Sequence, residues 1–533
     1  MSGPLGAQRP FSTRVMNLAT LLTQSARRLP EETALVMGDR RWSWRELEAR
    51  AEALACALQE RFGLRKGERV MVQSQNSMEM FQAMFAVWRA GGIWVPANFR
   101  QTPEEVVYLT QASGARLLLC DAAFPAHAAA CRAECPELAH VIALGAADFG
   151  PSVGDLTQEY LGRSFPALAV DRDDPCWFFF TSGTTGRPKA SILTHGQMAF
   201  VTTNHLADLM PGLTPEDASL VVAPLSHGAG VHQLTQVARG VKTILLSGEK
   251  LDPAEAWDLV REWRVSTLFT VPTILKLLVE HPAAAQAETE SLRYVIYAGS
   301  PMYRVDQQKA LRLLGPKIVQ YFGLGECTGA ITVLPAHLHE AEDGPTARIG
   351  TCGYARTGIE VQIQNAAGEE LPPGETGEIC VIGPAVFAGY YENPEANAKS
   401  FRQGWFRTGD LGHMDAEGFI YITGRESDMY ISGGSNVYPR EIEEKILAHP
   451  AIAEVAVLGM PDPLWGEVGW AVCVAKPGAR ADEAELAAYL EGKVSRYKSP
   501  KRFIFWEALP KSAYGKITKK MIREELQKRG LAG

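Results

Sequence analysis

From Met16 onward, short apolar runs alternate with longer stretches in which apolar residues recur every three or four positions. That is the pattern of strands alternating with helices in a layered α/β fold. Ser43 and Glu46 have the spacing of a capping box, and the helix they open carries Leu47, Ala51, Leu54, Ala55 and Leu58 along one face. Residues 70–73 predict a strand, 78–90 a helix stopped by Gly91 and Gly92, and 93–96 the next strand. Thr102 and Glu105 form a second capping box, with Pro103 at the first helical position, ahead of a strand at 116–120. Alanine favours the helix more than any other residue, so the alanine-rich segment 122–133 predicts a further helix. The order is one of successive βαβ units.

A strand covered on both faces reads as an unbroken apolar run. Trp177, Phe178, Phe179 and Phe180 form such a run, and it leads straight into TSGTTGRPK, residues 181–189. This loop offers the hydroxyls of Thr181, Ser182, Thr184 and Thr185, backbone amides left approachable by Gly183 and Gly186, and the cations Arg187 and Lys189. Amides and hydroxyls donate hydrogen bonds, glycine lets the backbone come close and lysine adds a point charge, so the inventory suits a polyphosphate. The loop lacks the Gly-Lys-Ser/Thr triplet of a Walker A motif. Standing alone, a loop of this composition is most often a surface turn.

Downstream, 195–209 predicts a helix and 218–224 a strand feeding PLSHGAGVH, with His227 beside Gly228, Ala229 and Gly230. A lone histidine at such a place is usually structural. The stretches at 270–273 and 297–302 are again strand ends running into small residues, the second including Ala298, Gly299, Ser300 and Pro301. Beyond Arg425, polar residues, the pair Gly433 and Gly434, and Pro439 read as a linker into a small α+β domain. That domain is expected to hold strands at 455–458 and 471–475 and a helix at 481–497.

At 533 residues the chain is too long for one core, so at least two domains are expected, the larger divided into subdomains. Its 46% hydrophobic and 21% charged content is that of an ordinary soluble globular protein. A formal net charge of -8 gives no footprint for nucleic acid or an anionic membrane, so a bound polyphosphate has to be held locally. The nine scattered cysteines include no C-x-x-C pair, which points to free thiols in a reducing compartment. Cys131 and Cys135 have a C-x3-C spacing without a second ligand pair, which argues against zinc. Neither a signal-peptide core nor an apolar run of about 18 residues is visible, and the expected location is cytoplasmic with no integral membrane segment.

TSGTTGRPK resembles the signature loop of the adenylate-forming superfamily of acyl-CoA synthetases, peptide-synthetase adenylation domains and luciferases. Further motifs follow in the order of that family over residues 16–525. PLSHGAG resembles the stretch whose aromatic or histidine side chain gates the acyl pocket, which gives His227 and Gly228. YAGSPM, with Ala298, Gly299, Ser300 and Pro301, is similar to the loop that packs against adenine. VQYFGLGECTG stands where the family usually has YGxTE: Gly323 and Glu326 are kept, Phe322 follows Tyr321 in place of the common tyrosine, and Gly325 replaces threonine. TGEICVIGPAVFAGYYENPEA at 376–396 and GWFRTGDLGHMDAEGFIYITGR at 404–425 match two more stretches. The second brings Asp410, a ribose-binding carboxylate by resemblance, and its companion Arg425. PKSAYGKITKK at 510–520 places Lys516 at the family's catalytic lysine.

The resemblance implies a large layered α/β domain over 1–425, a hinge at 426–428 centred on Ser427, and a small mobile α+β domain over 429–533. It implies a carboxylic acid, ATP and CoA as small-molecule partners. Carboxylate and ATP give acyl-AMP and pyrophosphate, and a thiol then takes the acyl group with release of AMP. A buried carboxylate is costly unless paired or on a metal, so Glu326 is expected to hold Mg2+ together with Thr184. The 181–189 loop takes the β and γ phosphates, with Lys516 near the α phosphate. Gly433 and Gly434 match the lining of the pantetheine tunnel. No nucleic acid is expected, and the assembly is left open, a homodimer among the states allowed. Two alternatives stand beside the CoA ligase: an acyl-AMP donor to a carrier protein or a luciferase-like oxygenase, and a nucleotide-binding regulator without turnover, to which Gly325 and Ser427 lend some weight. The pocket stretches 224–232, 297–302 and 322–331 contain no lysine or arginine, so the acid is expected to be a neutral aromatic or medium-chain aliphatic monocarboxylate. Glycines 228, 230, 323 and 325 either leave room for a ring or serve backbone turns.

Overall fold

Both capping boxes form. Ser43 Oγ accepts from Glu46 N at 3.2 Å while Glu46 Oε2 accepts from Ser43 N at 2.7 Å, opening the helix Trp44–Glu60; Thr102 and Glu105 do the same for Pro103–Ser113. The computed structural model describes residues 14–181, 188–248, 250–425, 428–432, 435–511 and 517–531. Strands Arg69–Gln73 and Ile93–Pro96 flank the helix Met78–Arg89 as expected, and Leu117–Asp121 follows one residue later than the expected strand. The helix expected at 122–133 starts instead at Pro125, because proline fixes φ for the first turn, and runs to Glu134.

Six strands make one sheet in the order Lys189–Thr194, Pro175–Thr181, Ile93–Pro96, Arg69–Gln73, Leu117–Asp121, His140–Leu144. All neighbours are parallel except the first pair, which is antiparallel and sets Thr181 opposite Lys189. Trp177 and Phe178 are fully buried on opposite faces of Pro175–Thr181, which explains the unbroken aromatic run.

A second sheet of fourteen strands changes character along its length. Thr33–Met37, Lys242–Leu245, Ala218–Val221, Thr267–Thr270, Tyr294–Tyr297 and Ile318–Phe322 pair in parallel. From Ile318–Phe322 onward the partners are antiparallel, through Thr332–Leu334, Thr351–Ala355, Phe419–Arg425, Trp405–Met414 and Gly377–Ile382 to Glu360–Gln364. The strand expected at 218–224 stops at Val221, three residues short of Pro224, which has no N–H for a ladder.

A separate five-stranded sheet begins at Tyr430–Ser432. Its centre is a long hairpin, Ile452–Asp462 with Gly466–Ala475, where only 455–458 and 471–475 were expected. Asp462 Oδ1 accepts from Leu464 N and Trp465 N, both at 2.9 Å, and this tight turn carries the pairing to the hairpin tip. The helix expected at 481–497 is only Glu483–Leu490, and Gly492 in the left-handed region at φ 75° breaks the path beyond it. Two apolar clusters drawn only from residues 430–526 give this part its own core. The fold is thus a large α/β N-terminal domain followed by a small α+β C-terminal one. No helix among the described residues is long and apolar enough to cross a membrane, and all nine cysteines are buried free thiols.

Candidate active site

Thr181 closes the aromatic strand, and its Oγ1 donates to Glu326 Oε1 at 3.0 Å. Glu326 sits in a single 3-10 turn, Gly325–Cys327, just past the strand Ile318–Phe322, and is buried. The same Oε1 accepts from Tyr390 Oη at 2.9 Å, and Phe387 N donates to the Glu326 carbonyl at 2.8 Å. Two donors on one oxygen fix the carboxylate plane, and no described residue donates to Oε2. Burial first, and the Glu326 carboxylate second, push the Tyr390 phenol far above its ordinary range, so it stays a donor. Lys189 Nζ lies 5.3 Å from the centre of the Tyr390 ring, and Asn397 clasps the Tyr390 backbone through N to Oδ1 at 2.6 Å and Nδ2 to O at 3.0 Å. Thr181, Lys189, Glu326 and Tyr390 therefore meet, although 64 residues separate the last two.

Gly325 stands where threonine was the common residue, and the structure gives the reason. A β-carbon there would lie 2.7 Å from the Phe179 ring and 2.9 Å from Thr181 Cγ2. The other pocket glycines behave alike: a β-carbon on Gly228 would meet Phe269 at 2.9 Å, on Gly230 the Leu225 carbonyl at 2.1 Å, and on Gly323 the Gly329 backbone at 2.5 Å. The space beside each is taken by protein, which favours the second of the two readings, that these glycines serve the path and packing of the chain itself. Gly299 alone among these candidate glycines needs the left-handed region, at φ 86°, where the chain turns after Tyr294–Tyr297 into Ser300 and the exposed Pro301; Ala298 is buried beneath.

His227 precedes the helix Gly228–Arg239, with its Nδ1 2.8 Å from Ser226 Oγ and its ring edge-on to Phe179 at 5.3 Å. Phe322 is half-buried, whereas the Tyr321 side chain is buried against His232 and Phe269. On the antiparallel half of the large sheet, Asp410 lies directly opposite Arg425, and Arg425 Nε meets Asp410 Oδ1 at 3.0 Å. Asp410 is buried while Arg425 is half exposed, so the pair has one dry and one wet end.

The model for AMP-binding enzymes matches residues 22–391, and that for the AMP-binding enzyme C-terminal domain matches 441–516. The chain belongs to the AMP-binding enzyme family. Within it the resemblance is to the acyl-CoA synthetase branch, whose members use ATP and CoA. The chain is 36% identical over 514 residues to a feruloyl-CoA synthase from Amycolatopsis sp, covering 96% of this chain and 99% of that one. It is 33% identical over 514 residues to indoleacetate–CoA ligase from Aromatoleum aromaticum, covering 96% and 98%. The crystal structure of ATP-bound MatB from Rhodopseudomonas palustris superposes with a TM-score of 0.85 at 32% identity, over 96% of this chain and 99% of that one.

Several residues expected in the site of an AMP-binding enzyme lie outside the described residues: Ser182, Gly183, Thr184, Thr185, Gly186 and Arg187 of the loop, Ser427, Gly433 and Gly434, and Lys516. One site residue was missed by sequence reasoning, and one buried cation was not anticipated. Tyr390 lies within the matching stretch at 376–396, where the Tyr-Tyr pair ahead of Asn393 was the available signal. Arg356 is buried beside His205, with Nη2 donating to Nδ1 at 3.1 Å, and lies outside the stretches in which no arginine was found.

Proposed function

We propose that the protein is an ATP-dependent carboxylic acid:CoA ligase that activates a neutral aromatic or medium-chain aliphatic monocarboxylate as acyl-AMP and passes the acyl group to CoA. The observation that carries this reading is the buried Glu326 carboxylate, held on one oxygen by Thr181 and Tyr390 at the end of the phosphate-type loop's own strand. A buried carboxylate with one oxygen to which no described residue donates fits Mg2+, which is commonly held by one or two carboxylates plus substrate phosphates. Bound there with Thr184, the ion would neutralise phosphate charge. Lys189 and the hydroxyls of 181–185 would donate to the β and γ phosphates, and Lys516 to the α phosphate as the acid oxygen attacks it in line. Asp410 and Arg425 would hold the ribose, and the 298–301 and 321–323 segments the adenine, so that the reacting atoms stay aligned. His227 would stand between the α phosphate and the acyl pocket.

The second step needs a thiol at the same carbonyl. Gly433 and Gly434 would line its path, and rotation at 426–428 would exchange them for Lys516, the domains being 1–425 and 429–533. Relatives named for feruloyl-CoA and indoleacetate support an aromatic acid. Arg356 does not call for a second substrate carboxylate, since Asp208 Oδ2 already lies 3.7 Å from its Nε. Pyrophosphate release with a panel of acids, with and without CoA, tests the reading: acid-dependent release and a CoA thioester are expected, and release without thioester would move the acceptor to a carrier protein.

A further inference from the structure

Partly exposed residues mark where the candidate site opens. In the strand Pro175–Thr181, Cys176, Trp177, Phe178 and Phe180 are buried, whereas Phe179 and Thr181 are partly exposed. Side chains two apart share a strand face, so Phe179 lies on the face from which Thr181 reaches Glu326. The Phe179 ring touches two further segments. A β-carbon on Gly325 would lie 2.7 Å from it, and the His227 ring meets it edge-on at 5.3 Å. Gly323, Leu324 and Gly325 in the first segment, and His227 and Gly228 in the second, are partly exposed too. His227 and the turn that carries Glu326 therefore flank one accessible ring, that of Phe179.

Behind His227 the surroundings are dry. Ser226 is 3% exposed, and its Oγ lies 2.8 Å from His227 Nδ1, the one hydrogen bond of that hydroxyl among the described residues. The bond can run in either direction. If Nδ1–H donated, the Ser226 hydroxyl proton would meet no acceptor among the described residues, and an unsatisfied buried donor weighs against that arrangement by about 5- to 100-fold. If the hydroxyl donates, its proton is satisfied, and a neutral ring then carries its own proton on Nε2. The choice of nitrogen matters to the chemistry. Nε2–H donates to an oxygen, whereas the other tautomer turns a lone pair toward it. The partners in the first step of an acid:CoA ligase all present acceptor oxygens: the carboxylate, the α phosphate and the acyl-AMP carbonyl.

We propose that Ser226 is a positioning residue: its hydroxyl fixes His227 as the Nε2–H tautomer, which donates to an oxygen of the acid or of its phosphate partner during adenylation. The inference rests on the acid:CoA ligase reading and adds a residue to which that reading gives no role. Nitrogen-15 NMR of the full chain labelled in histidine reads the tautomer without substrate, at about pH 8.5 where an ordinary imidazole is neutral; loss of signals in His227→Phe assigns them. Wild type should show a protonated Nε2 and a bare Nδ1 at His227. Ser226→Ala should bring in the other tautomer and lower kcat for acid-dependent ATP–pyrophosphate exchange by about three- to tenfold, with the KM for ATP within about twofold. Ser226→Thr, which keeps the hydroxyl, should restore both. In the His227→Phe background Ser226→Ala should cost nothing further, because no tautomer is left to set. Thermal unfolding confirms that the variants fold, and the wild-type spectrum needs no variant. A proton on Nδ1 in wild type, a Ser226→Ala variant that changes neither tautomer nor rate, or a loss that Thr does not rescue or that persists beside His227→Phe, overturns the inference alone. Exchange with none of cinnamate, benzoate and octanoate overturns the ligase reading and the inference with it.

Discussion

Tyr390→Phe removes one atom from the candidate site, and its effect can be worked from the geometry. Glu326 Oε1 accepts two hydrogen bonds, from Thr181 Oγ1 at 3.0 Å and Tyr390 Oη at 2.9 Å. A hydrogen bond to a charged group contributes about 1.5–3 kcal/mol, and each ~1.4 kcal/mol is a factor of ten in rate. If the Tyr390 bond serves to aim Oε2 at Mg2+, its loss should lower kcat/KM for acid-dependent ATP–pyrophosphate exchange by about 10- to 100-fold. The Mg2+ concentration at half-maximal rate should rise with it. Glu326→Gln keeps the size and removes the charge, and should cost more than Tyr390→Phe. The double variant should be no worse than Glu326→Gln within about threefold, because Tyr390 acts through a carboxylate that is already gone. Since burial and the carboxylate keep the phenol protonated, the Tyr390→Phe loss should not vary between pH 7 and 9. The assay is exchange rate against Mg2+ for wild type, both single variants and the double. A Tyr390→Phe loss below about threefold, or losses that multiply in the double variant, would falsify this positioning role.

Asp410→Asn should raise the KM for ATP about tenfold or more with a smaller change in kcat, since it weakens one charge-assisted contact with the nucleoside; initial rates against ATP measure it. Acid should destabilise the fold early. Burial lowers His195 to about 4, His232 to about 3 and His339 to about 4, so below pH 6.5 the unfolded chain binds protons that the folded chain refuses. This stability is complete above pH 6.5 and is lost on acidification toward 4, by about 1.4 kcal/mol per pH unit for each histidine; a melting temperature unchanged between pH 7 and 5 would contradict it. Lys516→Ala should cripple adenylate formation yet spare thioester formation from supplied acyl-adenylate, and Gly433→Leu should do the reverse. Ser427→Pro fixes φ and should lose one half-reaction more than the other; equal losses in single-turnover assays of both steps would remove the two-arrangement mechanism.

What could be read from the sequence was whatever local spacing dictates. Capping boxes at Ser43 and Thr102, the helix stop at Gly91 and the aromatic strand ahead of Thr181 all depend on residues within a few positions of one another, and all form. One misjudged element depends on pairing. The hairpin Ile452–Asp462 with Gly466–Ala475 extends well beyond its apolar centre because an Asp462 turn holds its tip, and polar residues such as Glu467 continue the ladder there. The helix ending at Leu490 was expected to run on to 497, but Gly492 takes the left-handed region two residues beyond its end, a local signal that the expectation passed over.

The site divides along the same line. Motif residues gave one half of each contact: Glu326 without Tyr390, His227 without Phe179, Tyr321 without His232. Their partners arrive from segments 64, 48 and 89 residues away, brought in by the order of strands in the two sheets. The large sheet turns from parallel to antiparallel at Ile318–Phe322, so Glu326 emerges where the parallel strands end, while Asp410 and Arg425 pair on the antiparallel strands. Binding crevices of α/β sheets lie where such connectivity changes. The pocket glycines show the limit of composition most directly. A sequence cannot distinguish a glycine that leaves a cavity from one that admits a neighbour, and here Phe179, Phe269, Leu225 and Gly329 have taken the four places.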